Sequence, residues 1–295
     1  MPLSAFDHSV DFTVGGRVFK TYYKVLGNLK AGQCPVVMLH GGPGMNHIYM
    51  TPHDLLFTDA SIPVVYYNQI SYRDFPNSPA EFWSMELFKD ELDNLLNHLG
   101  IRGNFVLLGH SWGGTIASDY AVTRMHQGLK GLIVANTFCS AKLYREGVAF
   151  WIDALPNGLP EIIKKHKANG TTDAEEYTKA MQLYNNLHIC TLDPWPQPLV
   201  ASLDFSKGNR HPDFNMSKIL KDWDVTNGLH KITCPTLLIS SPVDEMWEPC
   251  VKPFFEGIPL CKWVEFQNSS HLPMYEEPQR YLQIVVDFFN VALQR

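Results

Sequence analysis

Apolar positions along the chain fall into two alternating kinds of run. Short, largely apolar stretches occupy Pro35 to Leu39, Pro63 to Tyr67, Phe105 to Leu108, Leu129 to Ala135 and Thr236 to Ser240. A strand covered on both faces reads this way, because neither face has to meet water. Val18 to Leu26, with its β-branched and aromatic residues, predicts a further strand, and Lys262 to Phe266 another. Longer runs with helical spacing lie between them. Apolar residues at 88, 92, 95, 96 and 99 recur at intervals of three and four, predicting a helix that Gly100 ends. Trp112 to His126 carries alanines and β-branched residues suited to a helix packed tightly on a sheet. Pro278 to Leu293 predicts a closing amphipathic helix.

The strand–helix–strand rhythm halts near Ser140. From 141 to 221 the chain is richer in Lys, Glu, Asn, Pro and aromatics, with helical patches at 143–154, 159–168 and 173–187. Asp193-Pro194-Trp195-Pro196-Gln197-Pro198 is a proline-stiffened break within it. The pattern predicts one α/β core, residues 1–140 and 222–295, built on a mostly parallel sheet. Residues 141–221 form an inserted helical cap in this reading. No internal repeat suggests a solenoid.

Composition narrows the function classes. A chain of 295 residues with 45% apolar and 18% charged residues can bury a large core, which excludes a disordered or fibrous protein. The net charge is −6 and no Lys/Arg block occurs, so no nucleic-acid partner is expected. No apolar run approaches the ~18–20 residues of a membrane span. Met1 to Val14 carries Asp7 and Asp11 without a basic region, so a secretory signal is not evident and a cytoplasmic location is expected. The six cysteines lack CxxC spacing, so neither a zinc site nor a disulfide framework is predicted. The oligomeric state is left open.

Candidate chemistry centres on Gly109-His110-Ser111-Trp112-Gly113-Gly114, where a buried strand turns abruptly into a helix. In that context GxSxG raises a serine hydroxyl above the sheet while the small residues permit the turn. His40-Gly41-Gly42-Pro43-Gly44 directly follows another predicted strand. Acyl transfer needs two donors at the oxyanion position: Trp112 N–H supplies one, and a glycine of this loop, Gly42 before Gly41, the other. A serine nucleophile also needs a base and an orienting acid, which follow it in chain order in α/β hydrolases. The strand at 236–240 ends in Ser241-Pro242-Val243-Asp244-Glu245, and the strand at 262–266 leads to Asn268-Ser269-Ser270-His271. Asp244 and His271 fall where the two roles are expected, with Glu245 the rival acid. His40 and His110 lie inside the glycine motifs, where local packing and hydrogen bonding account for them. No metal or organic cofactor is required.

With these motifs the chain resembles the proline iminopeptidase family, serine aminopeptidases and amino-acid amidases of the α/β-hydrolase fold, over about residues 15 to 293. The resemblance rests on His-Gly-Gly-Pro-Gly at 40–44, Gly-His-Ser-Trp-Gly-Gly at 109–114, Leu192-Asp193-Pro194-Trp195-Pro196, Lys221-Asp222-Trp223-Asp224 and Ser270-His271-Leu272-Pro273 with Glu276 and Glu277. It implies release of an N-terminal residue, often proline, from a short peptide, amide or arylamide. The substrate's amino group is held by acidic side chains near the cap. Glu245 matches one such glutamate, and Asp213, in Asp213-Phe214, stands where the family has Glu-Phe. Trp195, with Trp151 and Tyr184, is expected to wall the acyl pocket or to form cap core.

Two departures bear on the substrate. Where the family has Asp-Gln-x-Gly-x-Gly, this chain has Asn68-Gln69-Ile70-Ser71-Tyr72-Arg73, which brings the bulk of Tyr72 and the charge of Arg73 to the mouth of the site. The stretch Ser202 to Pro212 also reads as shortened. A specialised esterase, lactonase or amide hydrolase of a small-molecule (secondary-metabolite) pathway is therefore the alternative. A non-catalytic receptor on the same fold is a third reading. An epoxide hydrolase or dehalogenase would carry Asp at position 111, and Ser111 argues against it.

Overall fold

The computed structural model describes residues 8–71, 73–74, 78–208 and 214–292. The described chain begins with β1 (His8–Val14) and β2 (Arg17–Leu26), followed by β3 (Val36–Leu39), α1 (Asp54–Thr58) and β4 (Val64–Tyr67). Next come α2 (Met85–His98), β5 (Phe105–His110), α3 (Trp112–Arg124) and β6 (Leu129–Ala135). Five helices intervene before the sheet resumes: α4 (Ala141–Asp153), α5 (Leu159–Asn169), α6 (Glu175–His188), α7 (Gln197–Lys207) and α8 (Met216–Ile219). β7 (Thr236–Ser240), α9 (Glu248–Gly257), β8 (Cys261–Glu265), α10 (Pro273–Glu276) and α11 (Pro278–Ala292) complete it.

The eight strands form one sheet in the order β1-β2-β4-β3-β5-β6-β7-β8. β1 and β2 pair antiparallel, as do β2 and β4, and every later pair is parallel. The short apolar runs have the expected cause. Val37, Leu39, Leu107, Leu132, Val134 and Leu238 face one layer, which α2, α3 and α9 cover. Val36, Met38, Val106, Leu108, Ile133 and Ile239 face the other, which α1 and α11 cover. Both faces are dry, so polar alternation has no place in these strands.

Helix α3 lies close to the sheet for a steric reason. A Cβ at Gly113 would overlap the Leu39 carbonyl oxygen, and one at Gly114 would stand 2.6 Å from the Thr137 Cβ. Only glycine allows this approach. Helix α2 begins three residues before its expected start, because Ser84 caps it by accepting a hydrogen bond from the Leu87 N–H at 3.3 Å.

Strand β1 and helices α1, α7, α8, α9 and α10 are additions to the expected elements. The proline string at 193–198 is a break that also starts a helix: Pro198 occupies the first turn of α7, where its missing N–H costs nothing. The small buried cluster of Ile152, Leu155, Ile163, Ala180 and Tyr184 joins α4, α5 and α6. Among the described residues no helix is long and apolar enough to cross a membrane. All six cysteines are free thiols.

Candidate active site

The loops leaving the carboxyl ends of β3, β4, β5, β6, β7 and β8 carry His40, Asn68, Ser111, Asn136, Asp244 and His271. The chain turns to opposite sides of β3, with β4 on one flank and β5 on the other, and such a reversal opens a crevice above the strand ends. A cavity of about 250 Å³ lies there. Gly41, Gly42, Ser111, Glu245, His271 and Trp195 all line it.

Ser111 links β5 to α3 with φ 55° and ψ −125°, a conformation rare for any residue with a side chain. Gly109 and Gly113 make the turn possible, since a Cβ at Gly109 would overlap the Gly113 carbonyl. Trp112 is the first residue of α3, and the N–H groups of a first turn lack intrahelical acceptors. Its indole N–H donates to Gln69 Oε1 at 2.8 Å. Gln69 in turn donates from its side-chain amide to the His40 carbonyl (2.9 Å) and from its backbone to His40 Nε2 (3.1 Å). His40 donates through Nδ1 to the Gly41 carbonyl at 2.8 Å. Burial pushes its pKa down to about 4, so it is neutral and serves as a strut.

His271 Nδ1 donates to Asp244 Oδ1 at 2.7 Å. The carboxylate of Asp244 is wholly buried, and it also accepts from Met246 N–H (3.1 Å) and from Asn136 Nδ2 (2.8 Å). Burial opposes the charged imidazolium, but the Asp244 charge and hydrogen bond, with Glu245 and Glu276 beyond, outweigh it and hold the His271 pKa above its ordinary value. An imidazole oriented in this way through Nδ1 leaves Nε2 for proton transfer with a group in the cavity. Glu276 fixes the loop around it, accepting from the Ser270 N–H at 2.8 Å and the Leu272 N–H at 3.3 Å.

Among the described residues, Glu245 is the one carboxylate on the cavity wall. Burial, reinforced by Asp244 and opposed by His271 and Lys167, raises its pKa to about 7. Asn185, Ile189, Leu199 and Leu203 come from α6, α7 and their connection, and with Met45, Trp195 and Leu272 they make most of the remaining wall apolar or neutral. Of the three aromatics singled out in the sequence, Trp195 reaches the cavity. Tyr184 is core between α4, α5 and α6, and Trp151 packs on His188 with ring centroids 4.5 Å apart. Tyr72 and Asp213 lie outside the described residues. Arg73 lies over the Phe205 ring at 4.3 Å and donates to the Phe205 carbonyl at 3.2 Å, joining the β4 loop to the end of α7.

Tyr49, Asn136, Asn185 and Leu203 had no motif to mark them. Leu199 and Leu203, spaced as i and i+4, were the available sign of α7, and the prolines before them obscured it.

The sequence model of the alpha/beta hydrolase family matches residues 36–284. A proline iminopeptidase of Saccharolobus solfataricus is 32% identical over 91% of this chain and 88% of its own length. The crystal structure of VinJ is similar at a TM-score of 0.88 and 37% identity, covering 97% of this chain and 99% of that one. The crystal structure of proline iminopeptidase from Mycobacterium smegmatis superposes at a TM-score of 0.85 with 28% identity, covering 97% and 98%. The chain therefore belongs to the alpha/beta hydrolase family, and within it to the proline iminopeptidase group.

Proposed function

We propose that this protein is a serine hydrolase that releases an N-terminal residue, proline or another residue with an apolar side chain, from a short peptide or small amide through an acyl-enzyme. The observation that carries the reading is one cavity shared by Ser111, the Asp244-bound His271 and the carboxylate of Glu245. His271 Nε2 takes the Ser111 proton as Oγ attacks the scissile carbonyl, and Asp244 holds the imidazole in the required tautomer. The oxyanion that forms is met by the N–H groups of Trp112 and Gly42, each donor lowering the barrier by on the order of 3–4 kcal/mol. Gly42 is the loop donor because the Gly41 N–H is already engaged by the Tyr49 hydroxyl at 2.6 Å. His271 then protonates the leaving amine, and water repeats the sequence to free the acid.

Glu245 selects the free amino group. A substrate ammonium beside it favours the ionised carboxylate, and against so apolar a wall the pair is stronger than in water. The helices between β6 and β7 act as a cap in this reading, since α6 and α7 supply the wall opposite the sheet. The same apolar wall supports the second reading, a hydrolase for a small-molecule amide or ester whose acyl group is hydrophobic.

Ser111→Ala should abolish turnover of prolyl and alanyl arylamides with the fold intact, and a fluorophosphonate should label the parent and not the variant. Full activity of Ser111→Ala would end the nucleophile assignment. Failure of the parent to label would favour a non-catalytic binding role. Equal rates on free and N-acylated substrates would remove the amine-anchor role and favour the second reading.

A further inference from the structure

The segment that follows the glycine loop holds a group that the reaction scheme leaves unused. Tyr49 is 1% exposed, and its hydroxyl sits between two parts of the site. It accepts the Gly41 N–H at 2.6 Å and lies 2.9 Å from His110 Nδ1. His110 Nε2 lies 2.8 Å from the backbone carbonyl of His271. A carbonyl can only accept, so His110 Nε2 carries the proton, Nδ1 is bare, and the tyrosine hydroxyl donates to it. Every donor in this chain has one acceptor, and the order runs Gly41 N–H to Tyr49 to His110 to His271 C=O.

The packing around Gly41 points the same way. A Cβ there would stand 2.9 Å from the Tyr49 hydroxyl oxygen and 3.2 Å from Ser111 Cβ, so residue 41 is glycine because tyrosine and nucleophile both press on it. The network also reaches helix α7. The Tyr49 N–H donates to Ser202 Oγ at 3.1 Å, and that hydroxyl donates to Asn46 Oδ1 at 2.6 Å. Burial, with the nearby His271 adding to it, keeps His110 neutral and so preserves the one proton pattern that satisfies all these groups.

We propose that Tyr49 is a positioning residue that ties the oxyanion loop to the backbone of the base. Its hydroxyl fixes the Gly41 peptide, which sets the direction of the next amide, Gly42 N–H. Through His110 it pins the carbonyl of His271, and through its own N–H it registers both against Ser202 of α7. This role rests on the reading of Ser111 as nucleophile and Gly42 as oxyanion donor.

Tyr49→Phe keeps the ring and removes the hydroxyl. On a prolyl or alanyl arylamide, kcat should fall 10- to 100-fold with KM within two-fold. The inhibition constant of an aminoacyl boronate, which forms a tetrahedral adduct on the serine, should rise by a similar factor. A kcat within two-fold of the parent, or a loss confined to KM, would overturn the proposal. If Tyr49→Phe does not fold, His110→Gln and His110→Leu carry the test. Glutamine can accept from Tyr49 and donate to the His271 carbonyl, so its kcat should exceed that of leucine at least ten-fold, and equal values would overturn the role. Labelling of the parent and of Ser111→Ala by a fluorophosphonate is read alongside. Labelling of both alike defeats the nucleophile assignment itself, whereas selective labelling with an unchanged Tyr49→Phe defeats only the positioning role.

Discussion

Glu91 offers a quantitative test of how this fold handles a buried carboxylate. It lies on α2 beneath the loop after β4 and is wholly buried, with no cation among its hydrogen-bond partners in the described residues. Thr21 Oγ1 donates to one oxygen at 2.7 Å and the Ile70 N–H to the other at 3.0 Å. Burial is the main cause that raises its pKa from 4.5 to about 8, and the two hydrogen bonds oppose it only in part. The sign follows from proton binding. Between pH 4.5 and 8 the folded state keeps a proton that the unfolded state has lost, so stability falls as pH rises through this window. At ~1.36 kcal/mol per pH unit the full effect is about 5 kcal/mol, of which roughly 3 kcal/mol falls between pH 6 and pH 9. Glu91→Gln keeps the shape: its amide oxygen can accept from Ile70 and its NH₂ can donate to the Thr21 hydroxyl. Urea denaturation of parent and variant at pH 6, 7.5 and 9 reads the difference directly. The variant should gain about 3 kcal/mol on the parent across that range. Parallel pH curves, within about 0.5 kcal/mol, would refute the argument that this carboxyl is folded in its neutral form.

Three further outcomes follow from the site. Glu245→Gln should lower kcat/KM for free-amine arylamides about 30-fold or more while sparing N-acylated ones, since losing one partner of a buried charged pair costs ~2–5 kcal/mol. In the parent, preference for the free amine should weaken as pH falls below about 7, where Glu245 takes up its proton; a preference constant from pH 5 to 8 would disprove the anchor. Asn136 adopts φ 48° and donates to Asp244, so Asn136→Gly removes the side chain without adding backbone strain. It should reduce kcat roughly ten-fold, the equivalent of about 1.4 kcal/mol, with KM little changed. Unaltered kcat would show that Asp244 needs no support from β6.

The parts of the fold visible in the sequence are those with local causes. Val36 to Leu39 and Gly131 to Ala135 are apolar throughout because both faces of their strands are covered, and that condition is written residue by residue. Strand β1 was hidden because only Val10, Phe12 and Val14 alternate, and its residues are mostly exposed at the sheet edge. Helix α9 was hidden by Pro249 and Pro253, which read as breaks although the first lies in the opening turn.

The chain alone marked the glycine-flanked serine, the acid after β7 and the histidine after β8, because the α/β topology sends the carboxyl ends of the parallel strands β3 to β8 to the same edge of the sheet. Tertiary structure decided what local pattern cannot encode. Tyr49 reaches His110 across 61 positions, Asn136 reaches Asp244 across 108, and Ser202 meets Asn46 across 156. Such partners are chosen by the three-dimensional path of the backbone, and nothing in a residue's near neighbours records which distant group will arrive to accept its hydrogen bond.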